Sequence, residues 1–269
     1  MLQRLLATAL LAAAAAVTHV PAPAQETEGP SPAAARNVPV HPYTLGEDLK
    51  AFVTWPKEWR ARDWAKFTGV LAAVNVAYRR DDDVRDHYRN DGEPDYHEAL
   101  DAMPAAITFG GMWVAAKVAG NEEARWEVDA MRRAFIVNVI SVQTLKVAFR
   151  RDRPGLGVPK DEWFGNEDLS FPSGHTSAAF AIGTVLAESG SDTHRRLRRT
   201  LGYGLGVLTA YQRVNHDAHW LSDTVAGAAI GIAAAKVVMR RRREAEPFGH
   251  LGIAPVDDGM KLTYTVPLR

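Results

Sequence analysis

No cysteine occurs in the 269 residues, which excludes a disulfide framework, a thiol nucleophile and a thiolate-held metal. Excess charge is lacking as well. The 32 Lys and Arg residues balance 32 Asp and Glu, and setting aside Arg4, the only charged residue before Gln25, leaves 31 basic against 32 acidic. A nucleic-acid partner, which leaves a basic footprint, is not indicated. Long apolar runs are scarce beyond the N-terminal segment. Charge-free stretches there reach 12, 15, 12, 13 and 12 residues (67–78, 102–116, 134–145, 200–212 and 224–235). A bilayer helix needs roughly 20, so a water-soluble bundle is the expectation. Only 169–187 reaches 19, and it contains Pro-Ser-Gly-His.

What is present begins with Arg4, an uncharged apolar run from Leu5 to Val17, and Pro21-Ala22-Pro23-Ala24. A basic start, a short apolar run and an Ala-x-Ala site form the three-part pattern of a secretory leader, expected over 1–24. Residues 25–58 are rich in proline and alanine and read as a linker or arm. Apolar residues then recur at helical spacing over 59–80, 98–119, 122–150, 175–188, 193–214 and 218–243, predicting an all-α bundle of about six helices over 59–244. In the tail, 245–269, alternating Met260, Leu262, Tyr264 and Val266 follow Asp257-Asp258-Gly259, the pattern of a short terminal β-hairpin.

Three stretches could carry chemistry. Lys146 and Arg153, followed by Pro154 and Gly155, place two long cations near an expected helix end, where they can converge on an anion. Basic residues also complement a helix C-terminus without further purpose. Pro172-Ser173-Gly174-His175 precedes the apolar run from Ala178, so Ser173 is placed as an N-cap and the following amides point at whatever sits at the helix head. Arg213, His216, His219 and Asp223 form the third stretch. If His219 and Asp223, four apart, share a helix face, the carboxylate can hold one imidazole nitrogen and leave the other outward and basic.

Together the three stretches resemble the type 2 phosphatidic acid phosphatase and vanadium haloperoxidase superfamily, whose signature is K-x6-R-P, P-S-G-H and S-R-x5-H-x3-D. One departure is Gln212, where the family's third motif usually has serine. The resemblance implies a phosphatase acting through a phosphohistidine on His219, oriented by Asp223, with His175 protonating the leaving oxygen. It implies that Lys146, Arg153, Ser173, Gly174 and Arg213 bind the phosphoryl group. It requires no metal or other cofactor. The implied partner is a phosphorylated small molecule or lipid.

Lipid phosphates are the leading substrate class, on the Thr-Ser-Ala-Ala-Phe that follows Pro-Ser-Gly-His. A broad-specificity acid phosphatase, a vanadate-dependent haloperoxidase and a non-catalytic phosphate binder are the competing readings. His216, His219 and Asp223 could instead be a metal site, although the phosphatase motif already accounts for two of them. The acidic stretch from Asp81 to Asp95 does not follow an EF-hand loop and reads as a solvated connection. Arg240 to Arg243 could touch anionic head groups at a membrane surface, while complementing a helix end also explains them. An exported, periplasmic or secreted protein is expected.

Overall fold

The structure is a computed structural model that describes residues 44–89, 110, 122–165, 169–189, 194–245, 250–256 and 259–265. The expected leader, most of the expected linker and, apart from Gly110, the helix expected over 98–119 lie outside the described residues. Seven α-helices occur among the described residues: α1 (Leu45–Thr54), α2 (Ala61–Arg79), α3 (Asp81–Arg89), α4 (Glu122–Phe149), α5 (Gly174–Glu188), α6 (Arg195–Asn215) and α7 (Leu221–Ala245). The all-α expectation holds for this domain. Separately, β1 (His250–Val256) pairs antiparallel with β2 (Gly259–Thr265), with Val256 opposite Gly259.

Helix α5 is the centre of the packing. Many of its residues are Gly, Ala, Ser or Thr, so neighbouring helices approach its backbone closely. A Cβ on Gly183 would lie 2.1 Å from the Gly202 carbonyl oxygen of α6, and one on Gly231 of α7 would lie 2.1 Å from the Ser177 carbonyl oxygen. Only glycine permits these crossings. Ala130, Met131, Ala134 and Val137 of α4 join Ala181, Ile182 and Val185 of α5 and Ala234, Ala235 and Val238 of α7 in one buried cluster. Burial at this density supplies most of the driving force for such a bundle.

Two sequence expectations are corrected. Residues 45–58, assigned to the linker, form α1 and a 3-10 turn (Trp55–Glu58). Leu45, Leu49 and Phe52 repeat at helical spacing and pack on the core, and buried Asp48 accepts from Arg133 of α4 at 2.5 Å. The start of the acidic stretch is likewise not a solvated connection. It forms α3, whose first turn places three aspartates against the helix's positive end, and Asp81 is buried.

Among the described residues, one helical segment, Leu221–Arg242, is long and apolar enough to cross a membrane, and 56% of the qualifying window is buried inside the protein. Exposed apolar side chains include Phe67, Leu71 and Val76 of α2 and Val147 and Phe149 of α4.

Candidate active site

Helix α4 ends within one residue of the expected bound. It stops at Phe149, where Arg150 takes a left-handed φ of 47°. Lys146 is therefore in the last helical turn, whereas Arg153 lies in extended chain, as a residue preceding proline prefers. Both cations reach back to main chain. Lys146 Nζ donates to the carbonyl oxygens of Leu169 and, at 3.2 Å, Ser170, while Arg153 Nη1 donates to Ala218 O at 3.1 Å.

The head of α5 carries the second motif. Ser173 is in the N-cap position, but its hydroxyl makes no cap bond and donates to Thr176 Oγ1 at 3.0 Å. Its own amide donates to the Asp223 carbonyl oxygen at 3.1 Å, which fastens the head of α5 to α7. Gly174 is the first helical residue. A Cβ there would find its nearest neighbour, Val142 Cγ1, at 3.8 Å, so packing alone does not demand glycine. His175 follows in the first turn, half-buried.

The third motif corrects the sequence argument in its geometry. His219 and Asp223 are not on one helix. Helix α6 ends at Asn215 and closes with a pair of backbone bonds: Asp217 N–H to Val214 O, and Ala218 N–H to Arg213 O, both at 3.1 Å. With Asp217 at φ 52° this is a Schellman closure, and Asp217 fills the left-handed position usually given to glycine. The His219 amide also donates to Arg213 O at 3.1 Å, so the turn folds the histidine back onto the last turn of α6. Only then does α7 begin.

His219 is buried, with Nδ1 3.5 Å from Asp223 Oδ2, an electrostatic contact too poorly formed to be a hydrogen bond. Burial first, then the charges of Arg153, Lys146, Arg213 and His175, push the imidazole well below its ordinary proton affinity. Those four residues converge on it from three separate segments. Burial pushes Asp223 up from the usual carboxylate range, opposed by the charge of Arg151 and by the Trp220 amide. Asp223 Oδ1 accepts from Arg151 Nη1 at 2.7 Å, and Oδ2 accepts from the Trp220 amide at 3.0 Å. Both of these partners are donors, which is the environment an ionised carboxylate requires.

Sequence reasoning passed over Arg151 and Asp81. Arg151 is fully buried and donates to Asp223, to Ser222 Oγ and to Asp81 Oδ2, each at 2.7 Å, and to Lys160 O at 3.0 Å. The rings of Tyr78, Trp163 and Trp220 lie 4.9–5.3 Å from its guanidinium carbon. Four charged residues in a row, Arg150 to Arg153, give no sequence signal for which one is fully buried. Among the described residues, no three His, Asp or Glu side chains cluster as a metal site.

Backbone bonds interlock the motifs. Gly155 N–H donates to Asp217 O at 3.0 Å, Ser170 N–H to Arg151 O at 2.7 Å, and Trp220 Nε1 to Asp152 O at 3.0 Å.

Residues 131–246 match the profile of the PAP2 superfamily. The lipid A 1-phosphatase of Porphyromonas gingivalis is 28% identical over 169 residues, which is 61% of this chain and 35% of that protein. The chain thus spans about a third of that relative's length. Among solved structures, Aquifex aeolicus LpxE is 24% identical with a TM-score of 0.39, over 55% of this chain and 90% of that one. A transmembrane PAP2 type phosphatidylglycerolphosphate phosphatase from Bacillus subtilis is 20% identical with a TM-score of 0.40, over 77% of this chain and 99% of that one. Residues 131–246, which contain all three motifs, are thus the part of the chain that is similar to the PAP2 superfamily.

Proposed function

We propose that this protein is an exported phosphatase that hydrolyses phosphate monoesters or pyrophosphates of lipids without a metal, through a phosphohistidine on His219. The observation that carries the reading is the state of His219. It is a buried imidazole whose protonation is opposed by burial and by Arg153, Lys146, Arg213 and His175 together. Such an imidazole keeps its lone pair at neutral pH, and the same cations attract the phosphate that it would attack.

In this reading Lys146, Arg153 and Arg213 hold the phosphoryl oxygens, with the Ser173 hydroxyl and the Gly174 amide completing the cradle at the head of α5. A bond forms from His219 to phosphorus as the ester P–O bond breaks. Asp223 stabilises the positive charge that develops on the ring, and His175 gives a proton to the departing oxygen. Water then attacks the phosphohistidine, releasing phosphate and restoring the imidazole. The positive charge a metal would supply comes from the three cations and the helix-head amides. The choice of lipid phosphates draws on the name of the Porphyromonas gingivalis relative and on the sequence after Pro-Ser-Gly-His.

The test is phosphate release from a panel of lipid phosphates in mixed micelles and soluble sugar phosphates, with EDTA present throughout. Turnover that favours the lipid arm is expected. Preference for sugar phosphates would make it a broad-specificity acid phosphatase, and complete loss in EDTA reversed by zinc or magnesium would refute the metal-free mechanism.

A further inference from the structure

Asp223 lies behind His219, and its own position needs explaining. The contact between them, at 3.5 Å, does not lock the carboxylate. What does is the opposite side of the carboxylate, where Arg151 and the Trp220 amide donate. Arg151 is in turn fixed by Asp81, which comes from α3, 70 residues earlier. Asp81 also accepts from the Ser222 amide at 2.9 Å and the Ser222 hydroxyl at 2.6 Å. An anion thus caps the first turn of the helix that carries Asp223, and the same anion anchors the arginine that holds Asp223.

Resting on the reading of His219 as nucleophile, we propose that Arg151, anchored by Asp81 and Ser222, is a positioning residue that sets the Asp223 carboxylate behind His219. The guanidinium suits this task because its planar fork divides between two carboxylates and a hydroxyl while aromatic rings confine it. A lysine carries the same charge without the fork. Arg151 is fully buried and donates to Lys160 O, Ser222 Oγ, Asp223 and Asp81, so it acts on the reaction through Asp223 and not on phosphate.

The experiment compares Arg151→Lys, Ser222→Ala and Asp81→Asn, alone and combined with Asp223→Asn, with His219→Ala as control. Single-turnover phosphorylation and steady-state KM are measured on variants whose circular dichroism and melting match a folded protein. Expected is a fall of about 10- to 100-fold in the phosphorylation rate for Arg151→Lys with KM within about twofold, and little further loss in the Asp223→Asn background. Losses that multiply fully in the double variant, or a raised KM at unchanged rate, would overturn the proposal. Should Arg151→Lys fail to fold, Ser222→Ala and Asp81→Asn carry the same expectation at smaller size, and wild-type rates in both would overturn it. Retained turnover in His219→Ala would instead refute the nucleophile itself, which keeps the two failures apart.

Discussion

Replacing Gly227 with alanine puts a methyl carbon 2.6 Å from the carbonyl oxygen of Ser173 and 3.5 Å from its Cβ. Ordinary contact begins at 3.4 Å, so α7 and the head of α5 must separate by about 0.8 Å. The atom that yields is main chain in the middle of the proposed cradle, and the bond from the Ser173 amide to Asp223 O stretches with it. Overpacking of this kind costs about 1–3 kcal/mol. A misplacement near 1 Å costs on the order of 10²-fold in rate, so kcat/KM should fall about 10- to 100-fold. Gly174→Ala is the contrast. Its Cβ has room, so stability should hold or rise slightly, while a methyl group at the helix head should obstruct the phosphate and raise KM. Urea midpoints and kcat/KM on a nitrophenyl phosphate measure both variants. Wild-type kcat/KM in Gly227→Ala would refute the claim that the head of α5 must sit where it does. Wild-type kcat/KM in Gly174→Ala would place the phosphate elsewhere.

Two further outcomes follow from the histidines. Burial lowers the proton affinity of His219 from its ordinary 6.5, so between that pH and its folded value the unfolded chain binds more protons than the folded one. Its contribution to stability is therefore complete above pH 6.5 and lost as pH falls below it; urea midpoints should show wild type losing ground to His219→Gln below pH 6.5, and parallel curves would contradict the buried neutral imidazole. His175→Asn should slow phosphorylation by roughly 10²–10⁴-fold with alkyl phosphates and far less with dinitrophenyl phosphate, whose leaving group needs no proton. Equal pre-steady-state losses across the leaving-group series would make His175 a phosphate-positioning group.

The motifs were legible because each is local: Lys146 with Arg153, Ser173 with Gly174 and His175, and Arg213 with His219 and Asp223 are each read within a few turns of chain. Helices α2, α4, α5, α6 and α7 were legible from apolar spacing, their ends less so. The end of α4 depends on a left-handed Arg150 and the end of α6 on a left-handed Asp217, and neither residue type announces that conformation as glycine does. This is why His219 and Asp223 looked like helical neighbours when a turn separates them. Helix α1 was hidden because proline and alanine in residues 25–43 coloured the reading of Leu45, Leu49 and Phe52. Asp81 was hidden among aspartates that are solvated, since only the buried Arg151, on a segment 70 residues away, distinguishes it.

The backbone bonds that interlock the motifs bear on how a substrate is received. Gly155 is tied to Asp217, Ser170 to Arg151 and Ser173 to Asp223, so no one of these segments can be disordered while the others keep their places. Ordering a residue costs about 1–2 kcal/mol of chain entropy, and a cradle built from independent loops would take that from each arriving phosphate. Here the chain has borne it during folding. In the proposed mechanism, the attraction between phosphate and cations would then remain available to favour the pentavalent arrangement over the bound ester, which is the condition for raising kcat and not merely lowering KM.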